Sequence, residues 1–481
     1  MIEITGSKQL FLDDYAIEST KGIIRKLHKP GQNRPVLRAE VEAGQFAVQS
    51  RNSPQWNPDK QLWEWFYWAF YQCEPFGPRA ITERRVSCYA TSTDLINWDK
   101  PSLGLFEWNG SKDNNICFLP ESNQLDRWGN GRFLYHCFRD DSDPDPNRRY
   151  KGMFDSRDRW MAVSPDGFNW KSLSIDPIPS QDESHFFFDE GTNLYTLMHK
   201  LPTEWGRSVW MSQSSDFIKW TDPILVMHTD EIDRENRKSR LELVRQDERY
   251  LAPPLYDGVD YIAETYQMAV MPYEGVYVGF PLIFNPSAEI PPPHGNFTAL
   301  NQTELTVSRN LLDWTRVCDR EIFMGIDHWD GISFNTAQIL PAGRPIIKDD
   351  SILIFNVGYR YRGPQELYEY VGHDYEFEVG AMNMATLRLD GFVSFDGLSE
   401  GVVLTQPFTS GGDFKINGDA SKGQITVDLV DSETLDTIPG LKGSFRGDSV
   451  DAVIIENTPP DRVMRAKFTL KNSSLYAFWL D

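Results

Sequence analysis

The stretch Tyr89-Ala-Thr-Ser-Thr-Asp-Leu-Ile-Asn-Trp98 recurs three more times, with variations, along this chain of 481 residues. The later copies are Met161-Ala-Val-Ser-Pro-Asp-Gly-Phe-Asn-Trp170, Met211-Ser-Gln-Ser-Ser-Asp-Phe-Ile-Lys-Trp220 and Leu305-Thr-Val-Ser-Arg-Asn-Leu-Leu-Asp-Trp314. All four share the pattern Ser-x-Asp/Asn-x-x-x-Trp after an alternating apolar run. A repeat of this kind indicates the architecture of the whole chain.

The repeat predicts a β-hairpin. Its alternating run suits a strand whose side chains point to opposite faces. The Asp or Asn accepts hydrogen bonds from backbone N–H groups two residues on, which fixes the reversal. The Trp then opens the next strand and packs against the neighbouring repeat. We interpret each copy as a hairpin of a propeller blade; the alternative is four unrelated Ser-Asp turns in a β-sandwich.

The spacing of the repeats predicts a five-bladed ring with long insertions. The four tryptophans are 72, 50 and 94 residues apart, whereas propeller blades recur at roughly 40–50 residues. A fifth unit begins near Asp327-His-Trp-Asp-Gly331 and runs to Leu389. Residues 8–28 are a candidate strand for closing the ring, and the charged segment 228–252 is a predicted insertion that could hold a short helix.

After Asp396 the sequence consists of short segments in which polar and apolar residues alternate. Such segments predict the strands of a C-terminal β-sandwich. The predicted fold class is therefore all-β, with a five-bladed β-propeller in residues 1–398 followed by a sandwich in residues 399–481. The sandwich either packs on the propeller or mediates a homo-oligomer.

Composition limits the partners. The net charge of −22 argues against nucleic acid or an anionic membrane as the main partner. No run approaches the roughly 20 apolar residues that a membrane span needs. The 15 Trp, 19 Tyr and 29 Phe suit both packed blades and platforms on which sugars stack.

Cysteine usage favours the cytoplasm. The five cysteines are odd in number and have no metal-ligand spacing, so neither a disulfide framework nor a zinc site is predicted. The start, Met1-Ile-Glu-Ile-Thr5, lacks the features of a signal peptide. A secreted or periplasmic protein whose signal had been removed would look the same.

The hairpin pattern resembles that of the five-bladed propellers of glycoside hydrolase families 32, 43, 62, 68 and 117. A propeller followed by a small sandwich is most similar to family 32 and to the family 32 N-terminal-domain-like proteins of environmental bacteria. The stretches that carry this resemblance are Leu10-Phe-Leu-Asp-Asp14, Asn109-Gly-Ser-Lys-Asp-Asn-Asn115, Tyr273-Glu-Gly-Val-Tyr-Val-Gly279, Thr386-Leu-Arg-Leu-Asp-Gly-Phe-Val-Ser394 and Arg446-Gly-Asp-Ser449. The nucleophile, Arg-Asp-Pro and Glu-Cys motifs of family 32 are absent, so candidate carboxylates follow from position alone.

The resemblance implies a glycoside hydrolase with paired carboxylates in the propeller funnel, exo-acting on a furanoside or an unusual sugar. In such propellers the base lies in blade one, a tuning Asp in blade two and the acid in blade three. Carried over by position, Glu42 is the base or nucleophile, Asp113 the modulator, and Asp182 or Glu183 the acid. Glu264 in blade four and Asp330 in blade five are further candidates. The alternative roles are purely structural: a turn cap for Asp113, a loop residue for Asp182 and a tight turn for Asp330.

Predicted substrate contacts come from aromatic and polar side chains near the starts of blades, in the loop-rich entry segment and in the last loop. They are His373, His328, Trp329, Tyr266, Gln267 and Trp56. The expected partner is a carbohydrate, and neither a cofactor nor a metal ion is predicted. Two other functions stay open. One is a glycoside phosphorylase, whose phosphate pocket would use Arg84, Arg85, Arg148 and Arg149. The other is a non-catalytic sugar-binding propeller.

Overall fold

The computed structural model describes residues 1–76, 81–119, 133–155, 157–253, 260–290, 296–362, 376–409 and 411–481. The predicted substrate contact His373 lies outside these residues. In the described part of the chain, none of the helices is both long and apolar enough to cross a membrane.

Antiparallel strands form five blades, as the repeats predict. Blade 1 consists of Gln45–Gln49, Gln55–Asn57, Leu62–Phe76, Ile81–Ser92 and Ile116–Phe118; blade 2 of Leu134–Arg139, Tyr150–Phe154, Trp160–Ser164 and Lys171–Ser172; blade 3 of Ser184–Asp189, Leu194–Thr203, Gly206–Ser214 and Ile224–Met227. Blade 4 consists of Glu264–Tyr273, Val276–Ile290, Thr306–Ser308 and Thr315–Arg316, extended by Asn296–Glu304 and Ile322–Met324; blade 5 of Gln338–Pro341, Ile346–Lys348, Ser351–Tyr359, Gly380–Arg388 and Gly31–Leu37.

The first strands of the five blades surround one axis, as contacts between neighbouring blades show. Blades 1 and 2 meet where the Cys137 N–H donates to Asn52 Oδ1, and blades 2 and 3 where the Tyr135 hydroxyl donates to Glu183. Blades 3 and 4 meet where the Val270 N–H donates to His185 Nδ1, and blades 4 and 5 where Gln267 Nε2 donates to the Pro341 carbonyl. Gly343 lies against Ser53, so closely that a Cβ on the glycine would be 2.7 Å from the Ser53 nitrogen. The circle of blades is thereby closed.

The hairpin turns form by the predicted hydrogen bonds. Asp94 Oδ1 accepts the N–H groups of Ile96 and Asn97, both at 2.8 Å, and Ser92 Oγ bonds the same carboxylate. The other three copies repeat this arrangement. The residue after each Asp or Asn is buried and has a positive φ, at Leu95, Gly167, Phe217 and Leu311. The motif therefore sets the reversal and also buries the residue that follows the Asp or Asn.

Two blade assignments differ from the prediction. Ile116–Phe118 pairs with Ile81–Ser92, so residues 112–119 finish blade 1, whereas Asp113 was expected at the opening of blade 2. The ring is closed by Gly31–Leu37, which pairs with the last strand of blade 5, Gly380–Arg388. The predicted closing segment, residues 8–28, pairs elsewhere. A short sequence motif does not indicate which distant strand pairs with it. The pairing of distant strands determined both the blade to which residues 112–119 belong and the strand that closes the ring.

The C-terminal sandwich is built from strands of both chain ends. Its ten strands are Gln9–Leu10, Ile17–Lys21, Ile24–Leu27, Val393–Gly397, Gly401–Thr405, Phe408–Thr409, Gly412–Asp431, Thr437–Thr458, Val463–Lys471 and Ser473–Leu480. Ile17–Lys21 pairs with Gly401–Thr405, and Ile24–Leu27 pairs with Val393–Gly397. Pairing thus moves residues 9–27 and 393–397 from the propeller side of the predicted boundary to the sandwich.

The two parts share one apolar core and a buried polar joint. Asp390, which is 1% exposed, accepts hydrogen bonds from Tyr273 of blade 4 and from Lys8 and Asn417 of the sandwich. Phe392 packs against Phe280 and Phe323 of the propeller at ring distances of 6.2 Å each. The sandwich therefore covers apolar propeller surface.

Truncation after Asp396 is expected to give an insoluble or aggregating protein. It removes Gly401–Thr405, the strand that pairs with Ile17–Lys21, and exposes the core around Phe392. Size-exclusion chromatography of the truncated and full chains measures this. A monomeric truncated chain that unfolds at the same temperature as the full chain would show that the sandwich does not support the propeller.

The predicted insertion between blades 3 and 4 contains an α-helix, Glu231–Gln246. Asp230 caps its N-terminus by accepting the N–H groups of Ile232 and Asp233, a favourable cap because those groups have no partner within the helix. Buried ion pairs join the helix to blade 4, with Arg316 to Asp233 at 3.0 Å and Arg240 to Glu304 at 2.6 Å. Three 3-10 turns, Val41–Ala43, Pro146–Arg148 and Val317–Arg320, complete the helical segments of the described residues.

Candidate functional site

Polar and charged side chains gather where the first strands of blades 2, 3 and 4 begin. Tyr135 lies at the start of Leu134–Arg139, Asp182 and Glu183 precede Ser184–Asp189, and Glu264 begins the first strand of blade 4. Because the first strands surround the axis, their starts meet at one end of it. We call this set the mouth cluster and define it as Arg51, Tyr135, Arg159, Asp182, Glu183, Lys200, Arg207, Glu264 and Tyr266.

Glu183 forms the buried base of the mouth cluster. The Arg51 guanidinium donates to both of its oxygens, with Nη2 to Oε1 at 2.6 Å, and the Tyr135 hydroxyl donates to Oε2 at 2.7 Å. The side chains of Arg51 and Glu183 are only 5% and 4% exposed. A buried ion pair persists only when its members satisfy each other, since burial of either charge alone is costly. Glu183 is thus held in place by three donors.

Asp182 carries the most exposed carboxylate of the cluster. Its Oδ2 accepts hydrogen bonds from the Tyr266 hydroxyl at 2.8 Å and from Lys200 Nζ at 3.1 Å, and its side chain is 53% exposed. Its φ of +55° is rare for a residue with a side chain. The Arg159 guanidinium donates to the Asp182 carbonyl, which holds this strained residue.

The surroundings keep Asp182 ionised. Partial burial raises the pKa of its carboxyl, but Lys200, Tyr266 and Arg51 together outweigh burial and hold that pKa well below the ordinary value. Because the folded-state pKa is depressed, these contacts stabilise the folded protein at neutral pH, and the contribution is lost only as the pH falls through the acid range. Asp182 is therefore ionised at neutral pH.

Lys200 and Tyr266 form the wall beside Asp182. Lys200 Nζ lies 3.9 Å from the centroid of the Tyr266 ring, and its side chain is 3% exposed. Burial lowers the pKa of Lys200, and Asp182 opposes that change. Burial and the Asp182 charge raise the pKa of Tyr266, so its hydroxyl keeps the proton that it donates to Asp182.

Glu264 is cradled by a turn of the neighbouring blade. The backbone N–H of Arg207 donates to Oε1 at 3.1 Å, and Arg207 Nη1 lies 3.1 Å from Oε2. Gly206, at φ +78°, lies so close that an added Cβ would overlap the Glu264 carboxylate. The Glu264 and Arg207 side chains are 16% and 25% exposed. The turn between Leu194–Thr203 and Gly206–Ser214 thus fixes the orientation of this carboxylate.

Comparison with known proteins finds solved structures that resemble this chain, but no matching family profile or curated sequence. No known protein-family profile and no curated protein sequence matches the chain. Solved structures similar to it include a β-fructofuranosidase from Schwanniomyces occidentalis, with 11% identity, 94% of this chain and 99% of that chain covered, and a TM-score of 0.42. A second similar structure is described as one from the GH130 family of mannoside phosphorylases, which contains glycoside hydrolases that target β-1,2 mannosidic linkages in Candida mannan. It has 12% identity, 78% of this chain and 96% of that chain covered, and a TM-score of 0.41. A third similar structure, an N-acetylgalactosamine deacetylase from F. plautii, has 11% identity, 93% of this chain and 95% of that chain covered, and a TM-score of 0.37. These proteins differ in activity, and none of the likenesses assigns one to this chain.

Three predicted carboxylates lie outside the mouth cluster. Glu42 is exposed in the turn Val41–Ala43, next to a cleft of about 380 Å³ that Ala43, Gly44, Tyr71 and Trp108 help to line. Asp113 is exposed at the end of blade 1, where its N–H donates to Ser111 Oγ. Asp330 is exposed and accepts the N–H groups of Ile332 and Ser333. The local contacts of Asp113 and Asp330 are those of turn residues.

The predicted substrate contacts are spread over the molecule. Tyr266 belongs to the mouth cluster, and Gln267 is buried beside it and bonded to the Pro341 carbonyl. His328 packs on Tyr250 with ring centroids 4.4 Å apart, and the Trp329 ring lies 6.0 Å from that of Tyr361. Trp56 is 40% exposed and packs on Trp63. Tyr266 alone among these five bonds a carboxylate of the cluster.

The arginines predicted for a phosphate pocket have separate partners. Arg148 pairs with Asp143 at 2.9 Å, Arg149 pairs with Asp59 at 3.3 Å, and Arg85 stacks on Phe133 at 4.8 Å. Arg84 lines the cleft beside Glu42. The cations of the mouth cluster are instead Arg51, Arg159, Lys200 and Arg207, none of which the sequence analysis selected.

The segment that follows the first strand of blade 1, Gln45–Gln49, contributes a cation, whereas a base was predicted from blade 1. The segment Gln45-Phe-Ala-Val-Gln-Ser-Arg-Asn-Ser-Pro-Gln-Trp-Asn57 contains neither Asp nor Glu. Its member of the mouth cluster is Arg51. Within the described residues, no three His, Cys, Asp or Glu side chains are grouped so as to hold a metal ion.

Proposed function

We propose that the protein cleaves glycosidic bonds at the mouth cluster, with Asp182 and Glu264 as the reacting carboxylates. The observation that carries this proposal is their connection. Tyr266 bonds Asp182, and its ring lies 5.2 Å from the guanidinium carbon of Arg207, which pairs with Glu264. Two partly exposed carboxylates on adjacent blades, linked by one tyrosine and one arginine, are the pair that glycoside hydrolysis needs.

The two carboxylates suit different roles. Asp182, with its depressed pKa, is fit to attack the anomeric carbon or to activate a water that does so. This role differs from the acid role predicted from its position. Glu264 would then give its proton to the departing glycosidic oxygen as the anomeric C–O bond breaks. Water supplies the new hydroxyl, and its second proton returns to Glu264, either directly or by way of Asp182, so that both carboxyl groups regain their starting states.

The finer proposal is an exo-acting enzyme on a furanoside or an unusual sugar. It is tested with a panel of para-nitrophenyl furanosides and pyranosides, each with and without inorganic phosphate. Phosphate-independent release of nitrophenol from one sugar type supports the hydrolase and names the sugar. Absence of release across a panel that includes every common furanoside and pyranoside would count against it, and glycan-array binding would then test a non-catalytic sugar-binding propeller.

A glycoside phosphorylase is the second candidate, and the part-exposed Arg207 beside Glu264 is the observation that favours it. A guanidinium next to a reacting carboxylate could hold phosphate in place of water. Release that requires phosphate, with a sugar 1-phosphate as product, would establish this function.

Gly206→Ala is expected to lower kcat by roughly 10- to 100-fold, because small misplacements of a reacting group cost rates of that order. The added methyl group would push the Glu264 carboxylate from its position. Gly104→Ala is the matched control, since Gly104 also has a positive φ, of +67°, but no neighbour within 4 Å of an added Cβ. Steady-state kinetics of both variants decide the point; equal activities would mean that Glu264 does not react.

A further inference from the structure

We propose that the cleft next to Glu42 binds a sugar ring of a neutral glycan, and we call it the blade 1 cleft. Its volume is about 380 Å³, within the range of roughly 300–1,000 Å³ that small-molecule sites occupy. None of the residues that line it belongs to the mouth cluster. The blade 1 cleft is therefore a second site, and its ligand does not depend on the function proposed for the mouth cluster.

Two aromatic side chains supply the apolar surface of the blade 1 cleft. Tyr71, in the strand Leu62–Phe76, and Trp108 are both half-buried. Their ring centroids are 5.0 Å apart, and the ring planes are inclined by 52°. A sugar ring presents C–H groups on its faces, and large aromatic side chains gain contact area when such groups pack on them. Tyr71 and Trp108 thus provide the surface that the face of a sugar needs.

The same two side chains offer hydrogen-bond donors. The Tyr71 hydroxyl accepts from Gln45 Nε2 at 2.9 Å, so its own proton can be donated to a ligand. Burial raises the pKa of Tyr71 to about 12, and the hydroxyl therefore keeps that proton at neutral pH. Trp108 Nε1 is shielded from solvent and has no hydrogen-bond partner in the part of the chain that the structure describes. A shielded donor of this kind is rare and costly, and a ligand hydroxyl beside the ring could accept from it.

The rim of the blade 1 cleft suits hydroxyl groups. Glu107 contributes a carboxylate, and Gln72 and Asn109 contribute side-chain amides; all three residues are exposed. Amides both donate and accept hydrogen bonds, as sugar hydroxyls also do. The two charged residues of the lining, Arg84 and Glu107, are of opposite sign, so the lining has no excess charge that would select an ion. A neutral glycan fits this combination of an aromatic surface and a polar rim.

The wall that carries Trp108 is a tight turn. The Trp108 N–H donates to the Ser111 carbonyl at 2.9 Å, and the Ser111 N–H donates to the Trp108 carbonyl at 3.1 Å. Between them, Asn109 and Gly110 have φ values of +50° and +81°. Positive φ at both central residues is the geometry of a type I′ hairpin turn, which the pair Asn-Gly favours. A preorganised wall of this kind loses little conformational freedom when a ligand binds.

The blade 1 cleft lies at the same end of the axis as the mouth cluster. Gly44, which lines the cleft, directly precedes Gln45–Gln49, the first strand of blade 1, and the starts of the first strands meet at this end. Arg51 of the mouth cluster follows Gly44 by seven residues, so the Cα atoms of these two residues are at most about 25 Å apart. One oligosaccharide of several sugars can extend over that distance.

The test is affinity gel electrophoresis of the full chain in native gels that each contain one soluble neutral polysaccharide: a fructan, an arabinan, a xylan, a galactan, a mannan or a glucan. Every protein carries Asp182→Asn/Glu264→Gln, to prevent hydrolysis of the gel, and mobility in a gel without polysaccharide is the reference. We expect one polysaccharide to retard the protein and Trp108→Ala to weaken that binding by about tenfold or more, as loss of a central aromatic contact does. Glu107→Gln, a change at an exposed residue, should weaken it severalfold.

Trp56→Ala is the matched control. It makes the same change at a tryptophan of blade 1 that is 40% exposed and lies outside both sites, and we expect unchanged retardation. If Trp108→Ala does not fold, Glu107→Gln alone decides the comparison with this control.

The outcomes separate the blade 1 cleft from the proposed function. Retardation that the cleft variants lose and Trp56→Ala keeps supports the inference, whether or not the wild-type protein turns over any aryl glycoside. Equal retardation in the cleft variants and in the parent protein, or an equal loss in Trp56→Ala, would place binding elsewhere and overturn it. Absence of retardation by every polysaccharide, together with no binding on a glycan array, would overturn it as well and leave a hydrolase at the mouth cluster standing.

Discussion

Asp182→Asn is expected to reduce kcat by about a thousandfold, within the range that positioned acid–base groups contribute, while the protein stays folded. Asparagine keeps the size of the side chain and can still accept the Tyr266 hydrogen bond, but it lacks the negative charge that Lys200 holds in place. Neither attack on the anomeric carbon nor activation of water is then possible at this position. Steady-state kinetics with the best substrate of the aryl glycoside panel measures the loss.

Asp113→Asn is the matched control for this prediction. It makes the same chemical change at an exposed turn, where we expect wild-type kinetics. A wild-type rate for Asp182→Asn, or an equal loss in both variants, would contradict the role given to Asp182.

Asp182→Gly gives a second, independent readout. The φ of +55° at this position is one that glycine adopts without strain, so the substitution removes the carboxylate at little cost to the backbone. If Asp182 attacks the anomeric carbon directly, added azide or formate should restore part of the turnover, and azide should yield a glycosyl azide. An equal rise in the rate of the Asp113→Gly control on addition of the same anions would show a general salt effect.

Glu183→Gln is expected to lower the unfolding free energy by about 3–5 kcal/mol, the cost of breaking a buried ion pair by removing one partner. The Arg51 side chain is only 5% exposed. The substitution removes the negative charge of the carboxylate that accepts hydrogen bonds from its Nε and Nη2. Denaturant unfolding of the variant at neutral pH measures the change. This expectation gives Glu183 a structural part, in place of the acid role predicted from its position.

Glu42→Gln is the control for Glu183→Gln. Glu42 is exposed, and exposed substitutions usually change stability by within about 0.5 kcal/mol. A Glu183→Gln variant as stable as Glu42→Gln would mean that the Arg51 pair does not support the fold.

The hairpins could be predicted because their determinants are local. Ser92 and Asp94 bond backbone groups within three residues, so the motif and its geometry occupy one short stretch. Blade membership depends on pairing between distant segments, and there the prediction was wrong for residues 112–119 and for residues 8–28. The helix in the insertion, Glu231–Gln246, is longer than the short one predicted. Its acidic cap is visible in the sequence, but its buried face combines Asp233 and Arg237 with Leu241 and Val244.

The candidate site was accessible from the sequence only in part. Asp182 and Glu264 stand directly before or at the start of strands, so a search for carboxylates at blade starts finds them. Arg51 binds Glu183, 132 residues away, and Arg207 holds Glu264, 57 residues away. No sequence spacing predicts these two contacts, because the residues become neighbours only when the blades close into a ring. The same search also selects Asp113 and Asp330, because turn caps and reacting carboxylates have the same local sequence.

The most direct test of the proposed active site compares the wild-type protein with its Asp182→Asn/Glu264→Gln double variant on the best substrate of the aryl glycoside panel. Both proteins are used at matched concentration, after thermal unfolding has shown both to be folded. We expect turnover by the wild-type protein and none detectable with the double variant. Turnover by the double variant at a rate near that of the wild-type protein would place the chemistry elsewhere and contradict the proposal that the mouth cluster is the active site.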